Sequence, residues 1–578
     1  MIKISCLSCL SWLKSPVPDI PASPRDAVQP GPDLSGTPPP ATFLSRQRYN
    51  ILALVPLAFL IWVIVQYAVD VPYRDQWELV PLLDKTYHGE LTFHDLWDQH
   101  NEHRILFPRI IMLALARGTG WNTRYELAVN VILALGIFTV FVHQVKITGR
   151  KLGAAGLAWA IPVTSLIVFS IGQYQNWLWG WQLQMFLNLL AAMGGIVLLA
   201  HETFTWKRFA LSALLGVVAL YSFANGVLFW PIGLVILLVV TAGARQRIAA
   251  LTGWVLLSAL ALGSYLHHYQ KPAEHPPLDL IYKTPGEYAA YVFKYIGGIG
   301  AHDVGGTMPA DGKVALILGL GGTIALVWAG CMLMRKKLAD FRALLPYLGM
   351  SLYSVASALV TGVGRIGFGS TQAVFSRYST MMVPFWVSLV FLLILLARGE
   401  RSAADAGFAP RPCAGRRVLE EFKTMTRWSL MAIIAMLVLG SCFIAGPVWV
   451  LLVVLLILLT RGEFPAADAG SASRTRAGRS IPEGYRIIAR WSLMAAMAML
   501  ILGSCFAVAG AKRWSLGEAY GREILLNLAA NPKAPIVDSF GISMTLYPRP
   551  EVVVERYPFL VQYRLSLFRH WQAPSTPQ

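Results

Sequence analysis

The stretch ILALVPLAFLIWVIVQYAV, residues 51–69, decides the fold class of this chain. It is apolar and uncharged, and its length is close to the roughly 20 residues that a helix needs to cross about 30 Å of hydrocarbon. Further apolar windows follow it along the chain. They lie near residues 126–145, 153–171, 182–200, 209–224, 226–243, 248–266, 314–334, 343–361, 378–397, 427–446, 447–460 and 490–510. We therefore predict an all-α polytopic membrane protein with about 13 transmembrane helices, 11 plus a duplicated pair.

Composition and charge agree with this class. Of the 578 residues, 56% are hydrophobic and only 14% are charged, a balance typical of membrane proteins. The net charge is +18, yet the lysines and arginines lie mainly in short segments between apolar windows. That distribution follows the positive-inside rule and argues against nucleic acid as a partner. We predict a cell (inner or plasma) membrane location, with a cytoplasmic N-terminus and an extracytoplasmic C-terminus.

The chain repeats itself near its C-terminal end. LLILLARGE at 392–400 returns as LLILLTRGE at 455–463, an offset of 63 residues. We interpret 384–446 and 447–509 as tandem two-helix units, although the run 428–460 is short enough to be one span instead of two. The remaining organisation is assigned by composition. It comprises a disordered Pro-rich cytoplasmic N-terminus at 1–48, a membrane core at 49–383 and an extracytoplasmic tail at 511–578.

The first outer loop, residues 70–104, has eight acidic residues and four histidines. Within its YRDQWE segment, a helix starting near Arg74 would place Asp75 and Glu78 on one face, just beyond the first span. Paired carboxylates can act as a general base or as metal ligands, so both are candidate catalytic residues. The alternative is a solvated helix start, where the helix dipole favours acidic side chains.

The second half of this loop contains the segment HNEHR. His100, Glu102 and His103 could bind a divalent cation, although a hydrogen-bonded network that shapes the loop is the favoured interpretation. The spacing also predicts that Glu102 shares a helical face with acids upstream at 95 and 98. Two basic residues, Arg104 and Arg109, could pair these acids or hold a phosphate. No cofactor is certain on this evidence.

Two further outer loops have residues suited to a ligand. GQYQNWLWGWQLQ at 172–184 offers Trp177 and Trp181, whose rings suit a sugar or a lipid headgroup, or the membrane interface itself. GVGRIGFGSTQAVFSRYS at 362–379 is glycine-rich, and its arginines suit phosphate oxygens or pairing with first-loop acids. Its candidate binding residues are Arg365, Gln372, Arg377 and Tyr378. The long outer loop at 267–313 has no specific motif, and it could form a lid over a site.

This arrangement resembles the GT-C superfamily of integral-membrane glycosyltransferases. The resemblance rests on a first span, a long acidic first outer loop, many further spans and an extracytoplasmic tail. Asp75 in YRDQWE matches the family's first-loop acid. The resemblance implies that a sugar moves from a polyprenyl-phosphate donor to an envelope glycan or lipid acceptor at the outer face, with membrane lipid as a further partner. It also implies that Arg365 and Arg377 hold the donor phosphate. HNEHR and the duplicated end depart from the family pattern.

Two other classes of function compete with this one. A transporter or flippase of a lipid-linked or envelope precursor would have charges buried at mid-membrane and related halves. A non-catalytic assembly protein would use its loops only to bind partners. The ionisable residues cluster instead in the outer loops, and the repeat is local, which favours the transferase.

Overall fold

The computed structural model describes residues 43–151, 155–273, 275–300, 312–335, 341–398, 483–531 and 538–572. Eight helices in these ranges are long and apolar enough to cross a membrane, and a shorter apolar helix lies at Ala224–Val240. The predicted all-α, multi-pass membrane fold is therefore confirmed. The number of 13 spans stays a prediction, because the windows at 427–446 and 447–460 lie outside the described residues, as do 1–42 and much of the duplicated region.

The helices follow the apolar windows closely. In chain order they are α1 Phe43–Tyr67, α2 Val80–His88, α3 Phe93–Trp97, α4 Leu106–Thr119, α5 Arg124–Lys151, α6 Ala160–Val168, α7 Tyr174–Leu178, α8 Leu183–Leu199, α9 Trp206–Leu220, α10 Phe229–Val240, α11 Ala244–Leu266, α12 Leu280–Lys283, α13 Pro285–Gly297, α14 Lys313–Arg335, α15 Phe341–Arg365, α16 Ser379–Arg398, α17 Glu483–Ala530, α18 Ser539–Thr545 and α19 Pro550–Gln562. The main 3-10 turns near the site are Arg74–Leu79, Gly180–Gln182, Ala224–Leu228 and Ser376–Tyr378. One short antiparallel pair, β1 Gln99–His100 and β2 His103–Arg104, interrupts the helices.

Burial separates central from peripheral helices. The apolar window of α16 is 100% buried, whereas that of α11 is only 22% buried and leaves most of its surface to the surroundings. Close packing in the bundle depends on small residues, as between α13 and α14. There a Cβ on Gly297 would approach the Ala315 carbonyl oxygen to 1.9 Å, so the two helices can touch only through glycine. The complete burial of its apolar window makes α16 a central helix of the bundle.

The predicted helical face in the second half of the first loop is wrong. α3 ends at Trp97, and the chain then forms the hairpin in which His100 pairs with His103. Asn101 adopts a left-handed conformation with φ of +48°, which asparagine tolerates better than most residues and which suits a tight turn. The Gln99 amide closes the turn by donating to the Asn101 carbonyl at 2.5 Å. The turn therefore replaces the helix that acidic spacing alone predicted.

The C-terminal segment packs against the first loop. Apolar residues of both regions form one buried cluster, in which Trp77 and Leu83 meet Leu546, Val553 and Phe568. The Arg556 guanidinium donates to the Trp77 carbonyl at 2.8 Å. The tail therefore lies at the same end of the helix bundle as the first loop, while the side of the membrane that this end faces stays a prediction.

Candidate functional site

A cavity of about 1490 Å³ opens at this end of the bundle. It is larger than the roughly 300–1,000 Å³ of most small-molecule pockets. Its lining comes from the loops after the first, third, fifth, seventh and ninth predicted spans and from the C-terminal segment. These are the segments that the charge pattern assigned to one side. The cavity thus collects residues that are distant in sequence but share one end of the bundle.

Nine of the predicted site residues line this cavity. They are Asp75, Glu78, His100, Glu102, His103, Trp181, Arg365, Arg377 and Tyr378. The other four, Arg104, Arg109, Trp177 and Gln372, lie outside its lining. The structure therefore brings together most of the set, whereas the role of each residue stays a prediction.

Asp75 lies on a 3-10 turn that begins at Arg74. Three residues complete a 3-10 turn, so Asp75 and Glu78 point to the same side, and both reach the cavity. The Asp75 side chain is 36% exposed, and its nearest basic atom is Nε2 of His100 at 4.0 Å. Asp75 forms no hydrogen bond with the residues that the structure describes. Its carboxylate is therefore open to a ligand.

Glu78 has partners on the C-terminal segment. Its carboxylate accepts a hydrogen bond from the Tyr547 hydroxyl at 2.5 Å and lies 3.1 Å from the Arg556 guanidinium. These contacts tie the first loop to the tail. The two acids of YRDQWE thus differ in their partners. Asp75 faces the cavity with His100 4.0 Å away, whereas Glu78 is held in an ion pair.

Glu102 belongs to a compact charged cluster. Its carboxylate forms an ion pair with Arg365 and lies 3.3 Å from Nε2 of His275 and 3.5 Å from Nε2 of His103. Burial would raise the pKa of Glu102, but the charge of His103, which is protonated in the acid range where Glu102 titrates, and that of Arg365 outweigh it and lower that pKa to about 2. Arg365 therefore pairs with a first-loop acid, which was the alternative to binding phosphate oxygens.

His103 is the buried member of this cluster. Burial lowers the pKa of its imidazole to about 4, so the ring is neutral at neutral pH. Its Nδ1 accepts the Ala224 backbone N–H at 3.1 Å, which places the ring proton on Nε2, the nitrogen facing Glu102. Since His103 is neutral, Arg365 provides the positive charge that balances Glu102.

The described part of the predicted lid contacts the same hairpin. The Gln99 amide donates to the Gln270 carbonyl at 2.6 Å, and the Gln270 N–H donates back to Gln99 Oε1 at 3.0 Å. Lys271 and His275 from this segment line the cavity. Residues 271–273, 275 and 276 therefore border the cavity, while residues 274 and 301–311 lie outside the described set.

Arg377 is held by its backbone and leaves its guanidinium unpaired. Its N–H donates to Gln175 Oε1 at 3.1 Å, and its carbonyl accepts from the Asn176 amide at 2.8 Å. The guanidinium lies 5.3 Å from each of the ring centres of Phe375 and Tyr378, within cation–π range. It has no acidic partner in the described parts of the chain. Arg377 therefore presents a fixed cation to the cavity.

The two arginines after the hairpin stabilise the loop rather than line the cavity. Arg104 donates to the carbonyls of Trp97, Tyr265 and His267. Arg109 donates to the carbonyls of Asp95, Leu96 and Asp98, the last at 2.5 Å. Because both arginines bind backbone oxygens of the loop and neither lines the cavity, neither enters the function proposed below.

The tryptophan loop divides in the same way. Trp177 is fully buried, stacks on Phe186 and donates its indole N–H to the Ser170 carbonyl. Trp181 lines the cavity, with its ring 5.0 Å from that of His100. Gln372 lies on the 3-10 turn Ser370–Val374, away from the cavity lining. Of these three, only Trp181 borders the cavity, and it is itself only 1% exposed.

The hairpin histidines do not form a metal cluster. In the described residues, no group of three or more His, Cys, Asp or Glu side chains is arranged to hold a metal ion. Glu102 is paired with Arg365, and His103 uses one ring nitrogen for a backbone N–H. The predicted network that shapes the loop describes this geometry, and a need for a divalent cation stays untested.

An aromatic wall of the cavity was not predicted. The Tyr73 ring lies 4.6 Å from that of Trp514 and 5.5 Å from that of Trp179, and all three line the cavity. The tail adds Tyr547 and Arg549 to the lining. Trp514 follows the last apolar window, so only the assignment of the tail to the first-loop side could have identified it.

Comparison with known proteins gives one match. No protein-family model matches the chain, and no curated protein matches it. The solved structure of ArnT from Cupriavidus metallidurans bound to undecaprenyl phosphate is similar with a TM-score of 0.41 and 12% sequence identity, over 85% of this chain and 81% of that chain. At this level of similarity, function has to be argued from the residues of the cavity.

Proposed function

We propose that this chain is a membrane glycosyltransferase of the GT-C type. It would move a sugar from a polyprenyl-phosphate donor to a cell-envelope glycan or lipid acceptor at the outer face of the membrane. One observation carries the proposal: Asp75 and Arg377 line the same cavity, and among the described residues neither has an oppositely charged partner closer than the 4.0 Å to His100. A carboxylate and a fixed cation are therefore both available to one ligand.

The chemistry of the transfer uses these two charges differently. An acceptor hydroxyl attacks the anomeric carbon of the donor, a new C–O bond forms, and the bond from that carbon to the phosphate oxygen breaks. The Asp75 carboxylate takes the hydroxyl proton. The polyprenyl phosphate departs with the bonding electron pair, and the Arg377 guanidinium stabilises the added negative charge. No oxidant, reductant or further reactant is needed.

The walls of the cavity suit a lipid-linked sugar. The half-buried aromatic rings of Tyr73 and Trp514 line the cavity and can pack against a sugar ring. Apolar side chains of Leu262, Leu266 and Val360 line another part, where α11 and α15 end. Because α11 is peripheral and Leu266 is 58% exposed, a polyprenyl chain could approach from the hydrocarbon along this side.

The position of charged residues favours a transferase over a transporter. In the described chain, the fully buried charged residue within a candidate span is Glu126, the third residue of α5 and thus near a helix end. The other charges discussed above lie in loops or helix ends at the end of the bundle where the cavity opens. A transport pathway would need ionisable groups deeper in the bundle.

The test is a transfer assay with purified full-length protein in nanodiscs. Radiolabelled sugars on polyprenyl phosphate would be offered with extracted envelope lipids and glycans, and nucleotide sugars would serve as the alternative donor. We expect product only from the polyprenyl-linked donors, and only with Asp75 intact. The matched control is Asp84→Asn, since Asp84 is an exposed loop acid outside the cavity.

Three results would contradict the proposal. Transfer from a nucleotide sugar would assign a different donor class. Movement of labelled lipid across a vesicle bilayer, without any glycosylated product, would identify a transporter or flippase. Protein that neither transfers nor moves lipid, under conditions where it is folded, would support an assembly role.

A further inference from the structure

The turn that presents Asp75 has an unfavourable backbone. Arg74, which opens the turn, has a φ of +50°, a left-handed conformation that side-chain-bearing residues rarely adopt. Such conformations persist only where the surrounding structure holds them. The Arg74 N–H donates to the Leu546 carbonyl at 2.6 Å, which fixes one side of the turn. A second contact with the protein is needed to hold the other side of the turn.

Gln76 provides that second attachment. Its side chain is 2% exposed and lies behind the cavity wall. Its Oε1 accepts the Tyr73 backbone N–H at 3.0 Å, and its Nε2 donates to Glu126 Oε2 at 2.6 Å. The residue next to Asp75 is thus bound on one side to the start of the turn and on the other to α5.

Glu126 is the fixed end of this chain of hydrogen bonds. Its side chain is fully buried, and its Oε1 accepts the Trp121 indole N–H at 3.0 Å. A Cβ on Gly180 would lie 2.1 Å from Glu126 Oε2, so the carboxylate fits only because that residue is glycine. Gly180 stands between Trp179 and Trp181, which both line the cavity. Glu126 therefore links the Asp75 turn to Trp121 by hydrogen bonds and packs closely against Gly180 of the tryptophan loop.

A buried carboxylate is an unfavourable choice for simple filling of space. Burying a carboxyl group is costly unless hydrogen bonds replace its hydration, and an apolar side chain would fill the same volume at lower cost. Here both carboxyl oxygens have donors from different segments. Gln76 and Glu126 thus hold the Arg74–Leu79 turn, α5 and Trp121 together, and we call this pair of residues the clamp.

We propose that Glu126 is a positioning residue that acts through Gln76 to hold the Arg74–Leu79 turn and so orient Asp75 toward the cavity. The inference rests on the function proposed above, because it assigns Glu126 a role in that reaction. It does not place Glu126 in contact with a substrate. Its effect on turnover would arise from the direction in which the Asp75 carboxylate points.

The donors and acceptors of the clamp provide a sharp test. In Glu126→Gln, the new amide has one oxygen for two donors, Gln76 Nε2 and Trp121 Nε1, so one donor is left facing an NH₂ group. In Gln76→Glu, two carboxylates face each other. The exchange Gln76→Glu with Glu126→Gln restores each bond: residue 76 accepts from Tyr73 and from the new amide at 126, whose oxygen accepts from Trp121.

The first readout is independent of activity. In a full-length variant lacking the native cysteines, Asp75→Cys would be labelled with a water-soluble maleimide through the cavity. Adding Glu126→Gln should change the labelling rate by at least about fivefold, because thiol reactivity follows exposure and the local field. The exchange should return the rate to that of the parent. Tyr353→Phe, which removes a buried hydrogen bond to Asn188 far from the turn, should leave the rate unchanged.

The second readout is turnover by the enzyme that retains Asp75. Glu126→Gln should lower kcat by about tenfold to 100-fold with little change in KM for the donor, since small misplacements of a reacting group have effects of this size. The exchange should recover most of that loss at its own optimal pH. Tyr353→Phe controls for a general loss of stability.

The outcomes separate this inference from the proposed function. Equal labelling of the Asp75→Cys thiol with and without Glu126→Gln would overturn the clamp, whether or not the protein transfers sugar. Failure of the exchange to restore labelling would do the same. If labelling follows the clamp but wild-type protein transfers no sugar from any donor, the positioning of residue 75 stands and the proposed reaction is wrong.

Discussion

Two acid–arginine combinations in the cavity have the same origin in sequence and opposite arrangements in space. Each joins an acid of the first loop to an arginine of the loop at 362–379. Glu102 and Arg365 form an ion pair beside His275, whereas Asp75 and Arg377 line the same cavity without pairing to each other. The first combination uses its charges to hold loops together, and the second leaves them for a ligand.

Local structure explains the difference. The hairpin turn at Asn101 carries Glu102 toward the end of α15, where Arg365 lies. Asp75 lies on a separate turn, and Arg377 is kept between Phe375 and Tyr378 by cation–π contacts. The type of charge therefore does not distinguish a residue that holds loops together from one that is free to bind a ligand. The presence of a counterion in the folded protein does make that distinction. Four predictions test it, in order of decreasing effect at neutral pH.

The largest difference is expected between the two acids. Asp75→Asn keeps the size and hydrogen bonding of the side chain but removes the base, so kcat should fall by roughly 100-fold or more. Glu102→Gln, the matched change in the paired acid, should lower kcat by less than about fivefold, the scale of an indirect effect. Steady-state transfer rates of both variants in nanodiscs decide this. Equal losses would remove the distinction between the two combinations.

Loss of the paired acid Glu102 should affect stability more than it affects turnover. Glu102→Gln leaves the mostly buried Arg365 without a charged partner and should destabilise the hairpin by about 2 kcal/mol, below the range for fully buried pairs. Because the folded pKa of Glu102 is lowered from 4.5 to about 2, this stabilisation is complete above pH 4.5 and is lost as pH falls toward 2.

Hydrogen exchange of residues 99–104 measures this local stability. The matched control is Asp279→Asn, which breaks an exposed ion pair with Lys283 and should leave the exchange of residues 99–104 unchanged, because solvent screens such a pair. A variant with Glu102→Gln that exchanges as slowly as wild type at pH 7 would show that the ion pair does not hold the hairpin.

The two arginines should differ in donor binding. Arg377→Lys keeps the positive charge but loses the planar fork that grips phosphate, so the Kd for a polyprenyl-phosphate sugar should rise about tenfold. Arg365→Lys should change that Kd by less than about twofold, because its guanidinium is already occupied by Glu102. Binding of a fluorescent donor analogue to both variants gives the comparison. A larger effect from Arg365 would reverse the assignment of the phosphate site.

The effect that should be smallest at neutral pH is the response of His103 to acid, which develops only as the pH falls. Burial lowers its folded pKa from 6.5 to about 4, so the unfolded state binds the extra proton first on acidification. Stability should therefore decline as pH falls from 6.5 to 4, with a slope of at most about 1.4 kcal/mol per pH unit. His103→Gln should remove this slope in thermal unfolding, whereas His88→Gln, an exposed histidine of the same loop, should not. A slope that survives His103→Gln would point to another titrating group.

Much of the architecture follows from the sequence. Within the described residues, the apolar windows predicted helices at the places where the structure has them, and alternation of spans with basic turns predicted which loops share an end. The gathering of first-loop acids and the arginines of 362–379 around one cavity agrees with that alternation. The GT-C-type function and the membrane side of this end stay predictions.

The sequence by itself determined the fold class, because the length and hydrophobicity of a span are properties of neighbouring residues and the hydrocarbon thickness is fixed. Only the tertiary structure decided which charges are free. Glu102 and Arg365 are 263 positions apart, and the Gln76–Glu126 contact joins a loop turn to a helix start. Ion pairs and hydrogen bonds act over a few ångströms, so their partners are set by how the chain packs and not by the order of its residues.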